Sequence, residues 1–324
     1  KGTFAVWLQG WKDLYEGKDS DLRKKQTGEI KNMELVSNYM HDDTLRHALN
    51  ELTRKTFGFD FESWVTNGYF EGDYIPYSFI EDGKIISNVS ANRMTFLQNG
   101  VERNYIQIGT VMTDETYRKQ GLARKLMDHV VKQYEDECDG FYLFANLRAV
   151  DFYDRCGFSK INEYRYFIKE EFGRNKSEGE WFLPVNPADM QMKQKYMDMV
   201  RHSMANSSME QLNKFGLQMF YTADMENVFY AKDIDCFIVA ELEEDTMVLQ
   251  SIVCAEQVTL SDVLQYMGGE FHKCRLGFVP VQNDRRMCIA ERYDGGDDYR
   301  LFYLGQELKS IEQDKLYFPE LSHA

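Results

Sequence analysis

Over a short stretch the hydrophobic pattern of this chain changes period. Residues 104–113 form a β-branched, strand-like run, and from 119 to 135 the apolar positions Leu122, Leu126, Val130 and Tyr134 recur at helical spacing. Between them lies a polar turn, Asp114-Glu115-Thr116-Tyr117-Arg118-Lys119-Gln120-Gly121. Here a strand ends, a tight turn follows and a helix begins within the Gly-bearing loop, so whatever fold the chain adopts must join the two kinds of element at this point. Helix openings expose unpaired N–H groups and a partial positive dipole, so this geometry cradles phosphate oxygens. Gly121 permits close backbone approach, the small Ala123 leaves room, and Arg118 and Lys119 add positive charge. Taken alone, a basic turn before a helix is more often plain structure than a ligand site.

The chain has 324 residues, enough for about two domains, and 22 Phe, 20 Tyr and 4 Trp supply each with core material. The net charge of −15 repels phosphate backbones, which argues against nucleic acid as a partner. The first 180 residues carry about −5 and the rest about −10, so the acidity sits mainly in the second half. The longest apolar runs, such as residues 236–240, fall far short of the roughly 20 residues that span a bilayer. No basic-then-apolar signal opens the sequence, and Lys1 leaves a processed or tagged start open. Cys138, Cys156, Cys236, Cys254, Cys274 and Cys288 form no Cys-x-x-Cys pair and no metal-ligand spacing with histidine. They read as buried thiols of a cytoplasmic protein, without metal and without a disulfide framework.

Residues 1–28 read as a helical extension, a docking arm or an added sequence. From Glu29 the pattern predicts a strand over 33–39, a helix capped by Asp42 or Asp43 through Phe57, and an aromatic cluster of Phe59, Phe61, Trp64 and Tyr69. A hairpin of 74–80 and 84–95 turns at Glu81-Asp82-Gly83. After the strand–turn–helix come a short strand over 141–145, a helix over 147–155 and a closing strand over 160–168. The polar run 173–179 reads as an interdomain linker. Beyond it helices are expected over 193–204 and 209–219, strands over 236–241, 247–253 and 274–280, a helix over 259–267 and a strand over 300–304. The order echoes the first half, as a diverged internal repeat would, although no residue motif recurs.

A second segment changes the weight of the first. Asn146-Leu-Arg-Ala149-Val-Asp-Phe152-Tyr153-Asp-Arg-Cys-Gly157-Phe158 starts 23 residues after Ala123, beyond the short strand. In this order, and on these elements, the two segments resemble the GNAT superfamily of acyl-CoA-dependent N-acyltransferases. The first resembles that family's pyrophosphate loop, Arg/Gln-x-x-Gly-x-Gly/Ala. The second resembles its Asn-x-x-Ala-x-x-apolar-Tyr-x-x-x-Gly-Phe signature. The resemblance covers about residues 29–169.

The resemblance implies a GNAT fold with a splayed central sheet over 29–172, followed by a second, smaller α/β domain over 180–324. It implies acetyl-CoA as co-substrate and no metal. Val111, Met112 and Thr113 would offer backbone groups to the ligand, with an N–H near Val111 or Met112 polarising the thioester carbonyl. Backbone N–H groups of Arg118, Lys119, Gln120, Gly121, Leu122 and Ala123 would hold the pyrophosphate, and Asn146 the pantetheine arm. Tyr153 would protonate the departing thiolate, where its plain reading is a buried aromatic. Many relatives place a carboxylate on the central strand, but nothing between Glu102 and Asp114 is acidic here. Deprotonation of the amine then falls to water, to a residue from elsewhere, or to none. Two-domain relatives resembling the enhanced intracellular survival group use the chain's own C-terminal carboxylate, which here would be Ala324; the tail reads equally as a frayed end.

Phe59, Asp60, Phe61, Glu62, Trp64 and Tyr69 are candidates to line an acceptor pocket, with Glu62 and Trp64 as the substrate-binding pair and the Phe residues as core. The second half has no Arg-x-x-Gly after its strand 247–253 and is expected to have lost any cofactor site. The reading is a cytoplasmic N-acetyltransferase that acts on a small-molecule amine by direct attack in a ternary complex, with no nucleic acid or membrane partner and a homodimer open. Its rival is a CoA-binding regulatory or scaffolding protein without turnover, supported by the missing strand carboxylate.

Overall fold

A computed structural model of the chain describes residues 33–172, 182–267 and 273–324. The extension 1–28 and the linker run 173–179 lie outside the described residues. The expected α/β alternation is found, in two compact units. Of the described residues, one unit comprises those up to Asn92 with Gln107–Glu137, and the other Arg93–Ile106 with those from Cys138 on.

In the first unit lie β1 (Glu34–Ser37), α1 (Asp43–Phe57), α2 (Glu62–Thr66), β2 (Tyr74–Glu81), the first part of β3 (Lys84–Gln98), the last part of β4 (Val101–Thr113) and α3 (Leu122–Tyr134). The strands lie in the order β1-β2-β3-β4, and β2 is antiparallel to both its neighbours. Helix α1 starts where the Asp42 side chain accepts from the Leu45 N–H at 3.0 Å and stops at Gly58, which is left-handed at φ 81°. Its inner face buries Leu49, Leu52 and Phe57. Helix α3 buries Leu122, Leu126, Met127, Val130 and Tyr134, the stripe expected from spacing. The β2–β3 hairpin turns through Asp82 and Gly83, both left-handed, the backbone its sequence predicts.

The second unit continues, in chain order, with β5 (Gly140–Asn146), α4 (Val150–Arg155), β6 (Ser159–Lys160), β7 (Glu163–Ile168), β8 (Leu183–Pro184), α5 (Met190–Arg201), β9 (Met209–Gln211), α6 (Phe215–Thr222), β10 (Val228–Ala231), β11 (Cys236–Glu243), β12 (Thr246–Cys254), α7 (Leu260–Tyr266), β13 (Lys273–Leu276), β14 (Cys288–Tyr293), β15 (Tyr299–Leu304) and α8 (Ser310–Gln313). Here the remaining parts of β3 and β4 share a sheet with β5, β15 and β6, and β9 pairs residues 96–98 of β3. A second sheet has the order β14-β7-β13-β12-β11-β10-β8. The core between them includes Phe96, Tyr105, Tyr142 and Phe318, with the rings of Tyr142 and Phe318 stacked at 4.0 Å. Gly140 is required where β5 begins, because a Cβ there would lie 2.8 Å from the Leu304 carbonyl oxygen.

Two expectations are corrected. The strand expected over 160–168 is broken at Ile161 and Asn162 into β6 and β7, and β7 joins the second sheet, antiparallel to β13 and β14. The strand that pairs with β5 comes instead from β15, with Tyr299 opposite Asn146 and Leu304 opposite Phe141. The helix expected over 209–219 begins only at Phe215, because Met209–Gln211 is drawn into the sheet beside β3. In both cases a pairing distant in sequence overrides the local pattern.

Candidate active site

The first unit carries the basic turn. Strand β4 is kinked at Thr110, whose φ of 40° is an outlier for a β-branched residue. A buried polar network holds it there. Asn88 Nδ2 donates to the Thr110 carbonyl at 2.9 Å, and the Thr110 hydroxyl lies 2.6 Å from Ser90 Oγ and 2.8 Å from the Tyr74 hydroxyl. Ser78 donates to Asn88 Oδ1 at 2.7 Å and lies 2.6 Å from the Tyr39 hydroxyl. Burial of such groups is tolerated only when they pair, and backbone in this region stores on the order of 1–3 kcal/mol. Immediately after the kink come Val111, half-buried, Met112, buried, and Thr113, half-buried, whose hydroxyl lies 2.8 Å from Ser87 Oγ. Sequence reasoning missed this network. Its signal was the recurrence of Asn88, Ser90 and Asn92 at alternate positions, on one face of β3.

The turn itself is tied down at several points. The Asp114 N–H donates to the Ile86 carbonyl at 2.9 Å and its carboxylate takes Lys55 at 2.8 Å. Burial pushes Asp114 up, but the hydrogen bonds from Lys55 and Thr116 outweigh it and hold the carboxyl at about 2. The Tyr117 hydroxyl donates to Glu81, and Arg118 Nε folds back to the Thr113 carbonyl at 3.2 Å. Arg118, Lys119, Gln120 and Gly121 are exposed, Leu122 is buried and Ala123 is half-buried. Lys119 and Gly121 are left-handed, at φ 66° and 78°. Backbone of this kind makes anion-binding nests of N–H groups. Gly121 is the cap of α3 and brings no side chain to its first N–H groups, and the first turn holds no acidic residue. A Cβ on Gly121 would meet nothing within 4 Å, so the space over the helix opening is clear. These features fit a pyrophosphate.

The second unit carries Asn146 and Tyr153. Asn146 ends β5, and its Oδ1 accepts from the Arg148 N–H at 2.9 Å, which fixes the side chain by its oxygen end. Tyr153 lies on α4 with its ring buried against Phe152 and Phe302. Burial drives its phenol well above the usual range, which keeps it protonated. The segment 316–323 packs along β5: Phe318 stacks on Tyr142 and the His323 ring stacks on Phe144 at 3.8 Å. The Tyr221 hydroxyl donates to the His323 carbonyl. Burial lowers the His323 pKa to about 4, so its imidazole is neutral. Ala324 follows it, half-buried, and this tail is packed rather than frayed.

The acceptor candidates are committed within their own unit. Both Glu62 oxygens bind the buried Arg46, at 3.0 and 3.1 Å, and Asn50 Nδ2 and His47 lie at 3.0 and 3.4 Å. The Arg46 hydrogen bond is what holds the Glu62 carboxyl below its ordinary value. Trp64 is 7% exposed, packed with Phe61, Phe70 and Tyr74. Asp60 pairs with Arg54 at 2.7 Å. Glu62 thus works as a clamp between α1 and α2, and Trp64 as core.

The family profile "Acetyltransferase (GNAT) family" matches residues 40–158. N-alpha-acetyltransferase 30 of Dictyostelium discoideum is 30% identical over 91 residues, 26% of this chain and 47% of that protein. The chain therefore spans about half the length of that curated relative. A probable N-acyltransferase of Enterococcus faecalis V583 shares the fold over 86% of this chain and 74% of its own, with a TM-score of 0.52 at 16% identity. A GCN5-related N-acetyltransferase from Kribbella flavida does so over 84% and 71%, with a TM-score of 0.51 at 14% identity. Eis1 from Mycobacterium abscessus covers 83% and 73%, with a TM-score of 0.50 at 12% identity. Such identities speak for the fold alone. The family profile, however, takes in both the uncapped turn at Gly121 and the signature that ends at Phe158, so the likeness of residues 40–158 to the GNAT acetyltransferase family spans both segments.

Proposed function

We propose that the chain is an N-acyltransferase that moves an acetyl group from acetyl-CoA to the primary amine of a small molecule, by direct attack in a ternary complex. The observation that carries this reading is the opening of α3, left without a side-chain cap behind an exposed Arg118-Lys119-Gln120-Gly121 turn. When bound, acetyl-CoA supplies the activated acyl group. Backbone N–H groups from Arg118 to Ala123 would hold its pyrophosphate, and Asn146 Nδ2 would donate to the pantetheine arm. The kink at Thr110 supports a role for the backbone N–H groups just beyond it as donors to the thioester oxygen. Tyr153, held protonated by burial, would donate its proton to the thiolate as it leaves. On β4, residues 103–113 carry no carboxylate, and we assign removal of the amine proton to water. The free, scattered thiols support a cytoplasmic setting.

Release of CoA from acetyl-CoA across an amine panel tests this. At least one small amine should give turnover, and Tyr153→Phe should cut kcat by roughly 10²–10⁴-fold with acetyl-CoA affinity nearly unchanged. Binding of acetyl-CoA with no turnover on any amine would favour the non-catalytic CoA-binding alternative.

A further inference from the structure

The two cysteines of the β11–β12 hairpin face each other. Cys236 opens β11, Cys254 closes β12, and they are direct cross-strand partners. Residues directly opposite in an antiparallel pair have Cα atoms about 4.5–5.5 Å apart, within the 4.4–6.8 Å that a disulfide spans. The other buried cysteines lack such a partner, since Cys274 stands opposite Met247 and Cys288 opposite Ile168.

The two sulfurs are not equivalent. Asn206 Nδ2 donates to Cys254 Sγ at 3.3 Å, and Asn206 is itself held by Met204 and Glu210. Cys236 Sγ lies 3.3 Å from its neighbour's carbonyl, that of Phe237, as a donor. The neighbouring Cys236 thiol, with help from the Asn206 amide, lowers the Cys254 thiol, whereas Cys236 is pushed up. Burial instead raises Cys274 and Cys288, each to about 12. Asn206 also lines a cleft of mixed polar and apolar character with Glu210, Lys214, Gln250, Phe278 and Leu321, with room for a water-sized solute. Both sulfurs are fully buried, and Asn206 is the side chain that stands between Cys254 and this cleft.

We propose that Cys236 and Cys254 are a dithiol oxidised by hydroperoxides to a reversible cross-strand disulfide. The Cys254 thiolate attacks one peroxide oxygen, the O–O bond breaks, and the departing oxygen takes a proton to leave as water or alcohol. The resulting sulfenic acid is then attacked by the Cys236 sulfur. The S–S bond forms, the S–O bond breaks, and the hydroxide leaves as water with the Cys236 proton. Two electrons pass from the dithiol to the peroxide, and a thiol reductant reverses the exchange.

The test uses the full chain, treated with hydrogen peroxide, blocked with iodoacetamide and mapped by peptide mass. The expected result is a linked Cys236–Cys254 peptide, lighter by two hydrogens and restored by dithiothreitol, with Cys236→Ser leaving a dimedone-reactive Cys254. A disulfide from Cys254 to any other cysteine would overturn the proposal. So would irreversible over-oxidation of Cys254 in the wild type, or both thiols surviving peroxide in the native protein. Should the serine variant fail to fold, Cys236→Val preserves the apolar packing, and the wild-type map decides on its own.

Discussion

Helices α3 and α7 each follow a sheet strand, and they open in opposite ways. Helix α3 follows β4 and is capped by Gly121, with no side chain on its first N–H groups and no acidic residue in its first turn. Helix α7 follows β12 and is closed by a capping box. The Thr259 hydroxyl accepts from the Asp262 N–H at 3.1 Å, and the Asp262 carboxylate accepts from the Thr259 N–H at 3.1 Å and its hydroxyl at 2.6 Å. One opening leaves its first N–H groups without a side-chain acceptor, while the other pairs the Asp262 N–H with the Thr259 hydroxyl and sets a carboxylate of its own against the dipole. The same topological step is thus made receptive or inert by a few side chains, which is why the fold alone does not identify a site.

The contrast extends to charge. Arg118 and Lys119 are exposed beside the α3 opening, whereas Arg275 and Glu320 in the second unit are each 8% exposed and hydrogen-bonded to one another. Burial alone would raise the Glu320 carboxyl, but Arg275 holds it below its ordinary value. Removing one partner leaves a buried charge unpaired, so Arg275→Ala should lower stability by about 3–5 kcal/mol in denaturant unfolding. The double variant Arg275→Met with Glu320→Leu should recover most of that loss. If Arg275→Ala costs under about 1 kcal/mol, the second unit does not spend its charge on itself and the comparison fails there.

Glu163 gives the next largest effect. It is 1% exposed and accepts from the Phe318 N–H at 2.9 Å and the Tyr299 hydroxyl at 3.0 Å. Burial raises its pKa to about 7, opposed by those bonds and by Arg165, with Glu320 adding to the rise. A raised carboxyl means the native state binds the extra proton. Its contribution to stability is full below pH 4.5 and is lost as pH rises through about 7. Glu241, also raised to about 7, adds a parallel slope, so the informative quantity is the difference between wild type and Glu163→Gln. That difference should move with pH by on the order of 3 kcal/mol between the two limits, and by nothing if Glu163 is already ionised in the native state.

Acetyl-CoA at about 100 times its dissociation constant should stabilise the wild type by about 2.7 kcal/mol. Gly121→Glu places a carboxylate over the open end of α3 on left-handed backbone and should abolish that gain in thermal unfolding. An undiminished shift in the variant would show that the ligand does not use this opening.

How much of this was legible in the sequence depends on the range of the interaction that decides it. The Asp42 cap, the turn at Asp82 and Gly83 and the α3 stripe are set by residues a few positions apart, and all stand where the pattern put them. The turn around Gly121 was legible for the same reason. The identity of β5's partner was not, because Tyr299–Leu304 lies far along the chain and nothing local marks it as the neighbour of Gly140–Asn146. The same holds for β7, for the short β9 and for Cys236 facing Cys254, which a shift of register would undo. Glu62 shows another limit: a carboxylate among aromatics suits a cationic group, and the sequence does not mark Arg46, buried on α1, as the cation that both its oxygens bind.

The smallest expected effect is the sharpest on the comparison itself. Thr259→Ala with Asp262→Ala strips the capping box from α7 and leaves its first N–H groups as bare as those of α3. The stability cost should be about 1 kcal/mol, the ordinary value of a lost N-cap, with no change at the first unit's loop. If bare donors were enough to make a phosphate site, this variant would bind a second equivalent of acetyl-CoA. It should bind none, because α7 has seven residues against thirteen in α3, and its approach residues Glu256, Gln257 and Val258 bring neither the basic pair nor the left-handed glycine of the Arg118–Gly121 turn. One equivalent by calorimetry would mean that the site at α3 needs its whole turn, while two would mean that an uncapped helix in this fold suffices.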